Sequence, residues 1–242
     1  MLVNELKSIT ICVPLFNEEE LVYELFENLE NLYSKISDQY IVNFLLIDDG
    51  SEDSTFTELK KYFNNLSYYR IIRHGTNLNL GGFLKTSIDN VNTDFIGFLD
   101  SDSTFDPLLI DPMLDIIKNN FDIVSASPYH PKGKTEGVGA IRKLISKTAN
   151  GIYSFILKED IYTFTSLLKI YRLENVKNIK IETYGFVSVT ELYVKSIING
   201  ASYYDFPCAL TTRRTGSSKI RFLRTIFEHL KFMIRLVINN LK

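Results

Sequence analysis

Four short clusters hold the residues best suited to chemistry. Asp100-Ser101-Asp102 closes the apolar run DFIGFL. Two carboxylates at the end of a strand repel each other unless a cation or proton intervenes. Hard Mg²⁺ or Mn²⁺, with diphosphate oxygens completing the shell, is the economical partner. The triplet alone is weak, since 14 aspartates make about one Asp-x-Asp by chance; its place at the mouth of a strand raises its value. Asp48-Asp49-Gly50-Ser51-x-Asp53-Ser54-Thr55 also follows an apolar run. Gly50 permits a tight turn and Asp53 or Ser54 can cap a following helix. One upstream aspartate then remains for a ligand such as a nucleobase with ring N–H donors. His74-Gly75-Thr76-Asn77-x-Asn79-Leu80-Gly81-Gly82 marks another turn before a helix, where glycines let backbone approach a sugar or phosphate. Arg213-Arg214-Thr215-Gly216-Ser217-Ser218-Lys219 gathers three cations, hydroxyls and a glycine, a composition that can cradle phosphate.

These clusters need elements to hold them. In the first half, β-rich runs (SITICVPLF, YIVNFLLIDD, YYRIIRH, DFIGFLDSD, FDIVSAS) alternate with stretches of helical period. Leu21, Leu25, Leu29, Leu32 and Ile36, spaced three or four apart, share one helix face. Strand and helix in alternation predict a parallel sheet covered on both faces, with ligands at the carboxyl ends of the strands. Asn17-Glu18, Asp48-Asp49 and Asp100-Ser101-Asp102 each follow a strand, as such a site requires.

Beyond Ser127 the pattern changes. PYHPKGKTEGVG reads as a mobile loop, followed by helices over Ala140–Leu157 and Val187–Ile198 and a strand in ASYYDFPCALTT. Residues 220–241 have strong helical phase. Leu223, Ile226, Leu230, Met233, Val237 and Leu241 form one stripe, and Arg221, Arg224, Glu228, Lys231, Arg235 and Asn239 the opposite one. This predicts either a helix lying in a membrane interface or one packed on the body or on a second subunit, and the basic face favours anionic lipid.

The 242 residues carry 27 Lys plus Arg against 29 Asp plus Glu, a net charge of −2. That excludes a globally basic nucleic-acid binder, and 45% hydrophobic residues exclude a disordered chain. The charge is segregated, with +5 from Lys219 onward and −7 before it. Cys12 and Cys208 lie in apolar runs without ligand spacing and read as buried thiols; His74, His130 and His229 lack zinc spacing. No signal peptide and no apolar run of membrane-spanning length is predicted. A cytoplasmic protein held peripherally at a membrane is the expectation.

Taken in order, VPLFNEEE, LLIDDGSEDST, NLNLGGFLKTSID, FLDSDSTFDP and RRTGSSK resemble glycosyltransferase family 2, with its nucleotide-sugar-binding GT-A fold. The branch they are most similar to contains dolichol-phosphate mannosyltransferases and other polyprenyl-phosphate glycosyltransferases. The resemblance implies an α/β, three-layer α/β/α sandwich with a mostly parallel sheet over residues 1–218, and a basic amphipathic helix over 219–242. It implies a nucleobase pocket lined by Pro14, Phe16 and Glu18, with Asp48 and Asp49 reading base or ribose. Asp100, Ser101 and Asp102 would hold Mg²⁺ or Mn²⁺ and the donor diphosphate, with Thr104 in a third-ligand position. Arg213 and Lys219 match paired cations near the phosphates. The chain departs from the family at Pro128 and Thr163, where Arg and Asp are usual, and at Ser166 and Phe83, where smaller residues are usual.

The implied reaction is inverting transfer of a hexose from a UDP- or GDP-linked sugar to a polyprenyl phosphate. A phosphate monoester is already ionised near neutral pH and needs no general base. A saccharide acceptor is the rival, and Glu191 would then be the base. A non-catalytic scaffold binding nucleotide and membrane is a third reading. A homo-oligomer is compatible with all three.

Overall fold

The computed structural model describes residues 6–119, 121–211 and 222–240. Its centre is a seven-stranded sheet made of β1 (Ser8–Leu15), β2 (Ile41–Asp48), β3 (Tyr69–Arg73), β4 (Phe95–Phe98), β5 (Ile123–Ser127), β7 (Lys169–Arg172) and β8 (Tyr203–Pro207). The spatial order is β3-β2-β1-β4-β7-β5-β8, and only β7 runs antiparallel to its neighbours. The five strands expected in the first half and the strand near 203 are all present. β7 was not expected: KIYR is four residues long and begins with a lysine, so it carries little apolar signal.

The period-two rule decides which face each strand residue covers. Phe44 and Leu46 of β2 join one core, whereas Leu45 and Ile47 join the other. The first core is closed by α1 (Val22–Ile36), α2 (Thr55–Phe63) and α4 (Ile110–Lys118), through Leu25, Leu29, Leu32, Ile36, Leu59 and Met113. The second is closed by α3 (Asn79–Asn90) and α6 (Val187–Ile198), through Phe83, Leu84, Leu192 and Val194. Each such buried aliphatic side chain contributes about 1.5–3 kcal/mol.

α5 (Ala140–Leu157) and α7 (Phe222–Asn240) sit differently. Both occupy their expected spans, yet of eighteen residues in α5 only Asn150 and Tyr153 are buried. α7 docks on α5 and α6 through His229, Phe232, Met233 and Leu236. That face is rotated from the expected stripe: Met233 lies inward, but Leu230 and Val237 are exposed, as are Phe227, Ile234 and Ile238. On the inward face His229 Nδ1 lies 2.8 Å from the Tyr153 hydroxyl, beside Phe232, Met233 and Leu236 in the second core. No described helix is long and apolar enough to cross a membrane.

The segment expected to be a mobile loop is pinned. β6 (Lys134–Thr135) pairs in parallel with β9 (Ala209–Leu210), and Gly133 is so tightly enclosed that a Cβ would fall 2.6 Å from the Ser127 carbonyl oxygen.

Candidate active site

The chain leaves β1 toward β2 and leaves β4 toward β5, in opposite directions along the sheet, so a crevice opens between their carboxyl ends. This topology brings Glu18 after β1 and Asp100-Ser101-Asp102 after β4 to one cavity across some eighty residues of sequence. The loops around them are laced to one another. Asn17, in the left-handed region at φ 53°, donates its N–H to Ser51 Oγ at 2.9 Å, and its side-chain oxygen accepts from Glu52 N at 2.8 Å. Glu18 N donates to Thr55 Oγ1, while Asp53 Oδ1 accepts from Thr55 N at 3.0 Å and caps α2. Gly50, at φ 76°, lies against the third loop, where a Cβ would meet the Thr76 carbonyl carbon at 2.7 Å. The Asp-Asp-Gly-Ser cluster is thus in large part the joinery of the site.

Within it the two aspartates diverge. Asp48 is wholly enclosed, 3.1 Å from Arg73 Nε and accepting from Ser51 N at 3.0 Å. Asp49 is nearly buried but borders the main cavity. Its Oδ1 accepts from Leu78 N at 2.8 Å and lies 2.7 Å from His74 Nδ1. A carboxylate only accepts, so His74 carries a proton on Nδ1, and its Nε2 lies 2.9 Å from the Thr86 hydroxyl. Asp48, expected from the resemblance to read base or ribose, borders neither this cavity nor the recess beside it and lies behind Arg73. Arg73 packs over the Phe56 ring and lines a side recess of about 550 Å³ with Phe16, His74 and Asn77.

Pro14, Phe16, Glu18, Asp49, Asp100, Ser101, Asp102 and Thr104 all line one cavity of about 810 Å³. Asp102 Oδ1 accepts from Thr104 N at 3.2 Å and from the Thr104 hydroxyl. Ser103, at φ 54°, makes the turn between them and is held by Asn28 at 2.9 Å. The donor set at this mouth is carboxylate and hydroxyl oxygen, which fits a hard cation such as Mg²⁺ or Mn²⁺ and not a soft one. Among the described residues no group of three or more His, Cys, Asp or Glu could hold a metal alone. Two protein carboxylates plus ligand oxygens is therefore the fitting arrangement.

The four departures have structural consequences. Pro128 and Thr163 both border the cavity, and Thr163 Oγ1 sits 2.9 Å from Ser127 Oγ. Ser166 lies nearby with its hydroxyl on the Leu168 carbonyl. Phe83 is buried edge-on to Phe98, with centroids 5.8 Å apart, and forms part of the cavity floor.

Glu191 does not border the cavity. It is 1% exposed, and its carboxylate accepts from Glu182 N, Thr183 N and the Thr183 hydroxyl while pairing with Lys195 at 2.6 Å. That carboxylate holds residues 182–184 against α3. There Gly81 N donates to the Tyr184 carbonyl at 2.9 Å, and a Cβ on Gly81 would meet the Thr183 carbonyl oxygen at 2.3 Å. Arg213 and Lys219 lie outside the described residues.

Sequence reasoning missed several lining residues. Arg142 and Ser146, one turn apart on α5, both face the cavity, as does Asn77. Arg142 and Ser146 stand at i, i+4 spacing, but Lys143 and Lys147 share that spacing on the same helix, so the pattern alone did not single them out. It also missed Lys169, which is fully buried on β7 and 4.9 Å from the Tyr193 ring centroid. Burial pulls its ammonium down to about 7, against the charges of Asp205 and Asp100 that raise it.

A mostly parallel sheet covered on both faces, with paired carboxylates at its switch point, defines a GT-A frame. The fold matches glucosyl-3-phosphoglycerate synthase from Mycobacterium tuberculosis, solved with Mn²⁺ and UDP-glucose. The TM-score is 0.70 at 16% identity, over 94% of this chain and 79% of that one. The model of "Glycosyl transferase family 2" matches residues 10–180, and the chain belongs to that family. It is 27% identical over 231 residues to a dolichol-phosphate mannosyltransferase of Pyrococcus furiosus, covering 95% of this chain and 63% of that protein. It is 24% identical to a polyprenol monophosphomannose synthase of Mycolicibacterium smegmatis, covering 87% and 80% respectively. A dodecaprenyl-phosphate galacturonate synthase of Rhizobium johnstonii is 25% identical, covering 90% of this chain and 63% of that protein. The chain thus spans less than two thirds of the length of two of these relatives.

Proposed function

We propose that the protein transfers a hexose from a nucleoside-diphosphate sugar to a polyprenyl phosphate at an anionic membrane surface. The observation that carries this reading is the two-ended character of the cavity. One end holds Asp100, Asp102 and Thr104; the other is an apolar furrow walled by Leu144, Ile145 and Ile152 of α5 and Leu230 and Met233 of α7. A saccharide acceptor has no use for such a wall, whereas an isoprenoid chain buries apolar surface there. The three relatives, a dolichol-phosphate mannosyltransferase, a dodecaprenyl-phosphate galacturonate synthase and a polyprenol monophosphomannose synthase, support the same acceptor class.

In this reading Phe16, Arg73 and Asn77 border the donor base, and Asp48 orients Arg73 from beneath. Asp100 and Asp102, with Thr104 holding the second carboxylate in place, would carry Mg²⁺ or Mn²⁺. Such a cation would offset the charge that develops on the departing diphosphate. Arg142 and Ser146 reach the cavity from α5 and are suited to an acceptor phosphate, with Arg213 and Lys219 as further proposed cations. The acceptor is ionised without help, so no protein base is required, in keeping with Glu191 being fully engaged elsewhere.

The same two helices supply the membrane contact. α5 exposes Ile141, Leu144 and Phe155 beside Arg142, Lys143 and Lys147, and α7 exposes Phe227, Ile234 and Ile238 beside Arg224, Lys231 and Arg235. Apolar side chains flanked by cations suit an anionic interface. Residues 1–218 would then carry the chemistry, with 219–242 adding to the lipid contact.

The test is transfer of radiolabelled sugar from UDP- and GDP-linked donors to a polyprenyl phosphate with Mn²⁺. Product on the lipid phosphate that vanishes in Asp102→Asn supports the reading. Donor hydrolysis alone, or transfer only to free saccharides, sinks it.

A further inference from the structure

Residues 163–167 form an irregular stretch between α5 and β7, and Thr163, Thr165, Ser166 and Leu167 border the cavity. Asn150 Oδ1 accepts from Phe164 N at 3.0 Å, the Thr190 hydroxyl donates to the Phe164 carbonyl at 3.5 Å, and a buried lysine reaches two carbonyls of the stretch. Lys169 Nζ donates to the Phe164 carbonyl at 3.3 Å and to the Ser166 carbonyl. The lysine belongs to a cross-strand row, Lys169 on β7 opposite Ser125 on β5, itself opposite Asp205 on β8. All three side chains are largely or wholly enclosed, so the ammonium cannot turn away to solvent.

Two alternate carbonyls drawn to one buried ammonium fix the peptide planes between them. No peptide in the described residues is cis. In a trans plane the N–H points opposite to the C=O. The N–H groups of Thr165 and Leu167 therefore point away from Lys169, on the side where these residues border the cavity. Neither finds a hydrogen-bond partner among the described residues. Two outward N–H groups on alternate residues, without partners of their own and with an ammonium behind them, are donors suited to the oxygens of an anion. The neighbouring lining position is Pro128, which offers no cation of its own.

We propose that the Thr165 and Leu167 N–H groups form a phosphate cradle on the cavity wall, with Lys169 as the positioning residue that holds their peptides outward. The cradle deepens the functional reading above and rests on its phosphorylated substrates. The phosphate has two sources, the donor diphosphate or the acceptor monoester, and the experiment separates them.

Inorganic phosphate is titrated into the ¹⁵N-labelled full chain, and amide resonances are followed. Saturable shifts at Thr165 and Leu167 in the wild type, lost in Lys169→Met and largely restored in Lys169→Arg, are expected. Because this readout needs neither turnover nor lipid, it stands even if the transfer reaction assigned above fails. Calorimetry with nucleoside diphosphate and Mn²⁺, and initial rates against a short isoprenyl phosphate, then identify the source. A roughly tenfold rise in the first dissociation constant marks the donor, and the same rise in the acceptor KM marks the lipid phosphate. Lys169 is buried, so its Met variant risks misfolding; Thr165→Pro removes one N–H directly and Thr165→Ala keeps it. The proline variant should weaken phosphate binding more than the alanine variant. Absent amide shifts in the wild type, or equal losses in the two Thr165 variants, would overturn the cradle. So would a fall in melting temperature and kcat with both binding constants unchanged.

Discussion

Tyr153 and His229 meet across the α5–α7 contact, phenol oxygen to imidazole Nδ1 at 2.8 Å. The Tyr153 ring also contacts Phe164, beside the cavity, and Phe232 of α7. One tyrosine thus joins the wall of the proposed catalytic cavity to both helices of the proposed lipid-facing surface. The contact is enclosed, and burial favours the uncharged imidazole there.

Burial pushes the His229 imidazole down to about 4, with the nearby Glu228 opposing weakly. A depressed histidine binds fewer protons folded than unfolded between those values. Stability from its burial is therefore complete above about 6.5 and is lost as pH falls toward 4, up to about 3 kcal/mol. Hydrogen exchange of residues 222–240 should quicken between pH 7 and pH 5 more than exchange in β1. Equal protection of the two regions across that range would contradict this account of the α7 contact.

Glu191 is a structural anchor. Glu191→Gln keeps the shape but removes the Lys195 pair and offers an N–H₂ where backbone N–H groups now donate. A loss of about 2–4 kcal/mol in urea unfolding is expected, since a buried network with one member altered leaves groups unsatisfied. Should the variant unfold like the wild type while turnover disappears, a hydroxyl acceptor with Glu191 as base would be the better description.

Gly81 and Gly75 offer a paired test. A methyl at Gly81 meets backbone of residues 183 and 184, which cannot rotate away, whereas at Gly75 nothing lies within 4 Å. Gly81→Ala should cost about 1–3 kcal/mol and weaken binding of the nucleoside diphosphate by displacing Gly185 and Phe186. Gly75→Ala should leave unfolding nearly unchanged.

The exposed apolar residues of α5 and α7 predict liposome binding. Leu144→Glu with Ile234→Glu should reduce co-sedimentation with anionic vesicles several-fold, and added salt should weaken the wild type. Indifference to both would remove the membrane from the proposed function.

The strands and helices of the first half were legible because their signals are local. Alternating burial in SITICVPL and the three-four spacing of α1 need no distant partner to be recognised. The placement of polar clusters after strands was equally readable, and eight of the residues named by the family resemblance line the cavity. What escaped was whatever depended on a partner remote in the chain. β7 is strand only because β4 and β5 flank it, and its lysine is tolerable only beside Asp205. Asp48 and Asp49 are neighbours with the same side chain, yet Arg73 from another strand covers one and leaves the other at the cavity. Glu191 looked like a free acid on a helix until residues 182–184 folded onto it. The sequence by itself determined most of the elements, the carboxylates that follow the strands and the family, through short-range periodicity and ordered motifs. Tertiary structure alone decided which carboxylates are spent on holding loops and which face the cavity, because burial and pairing are settled by packing between segments far apart in sequence.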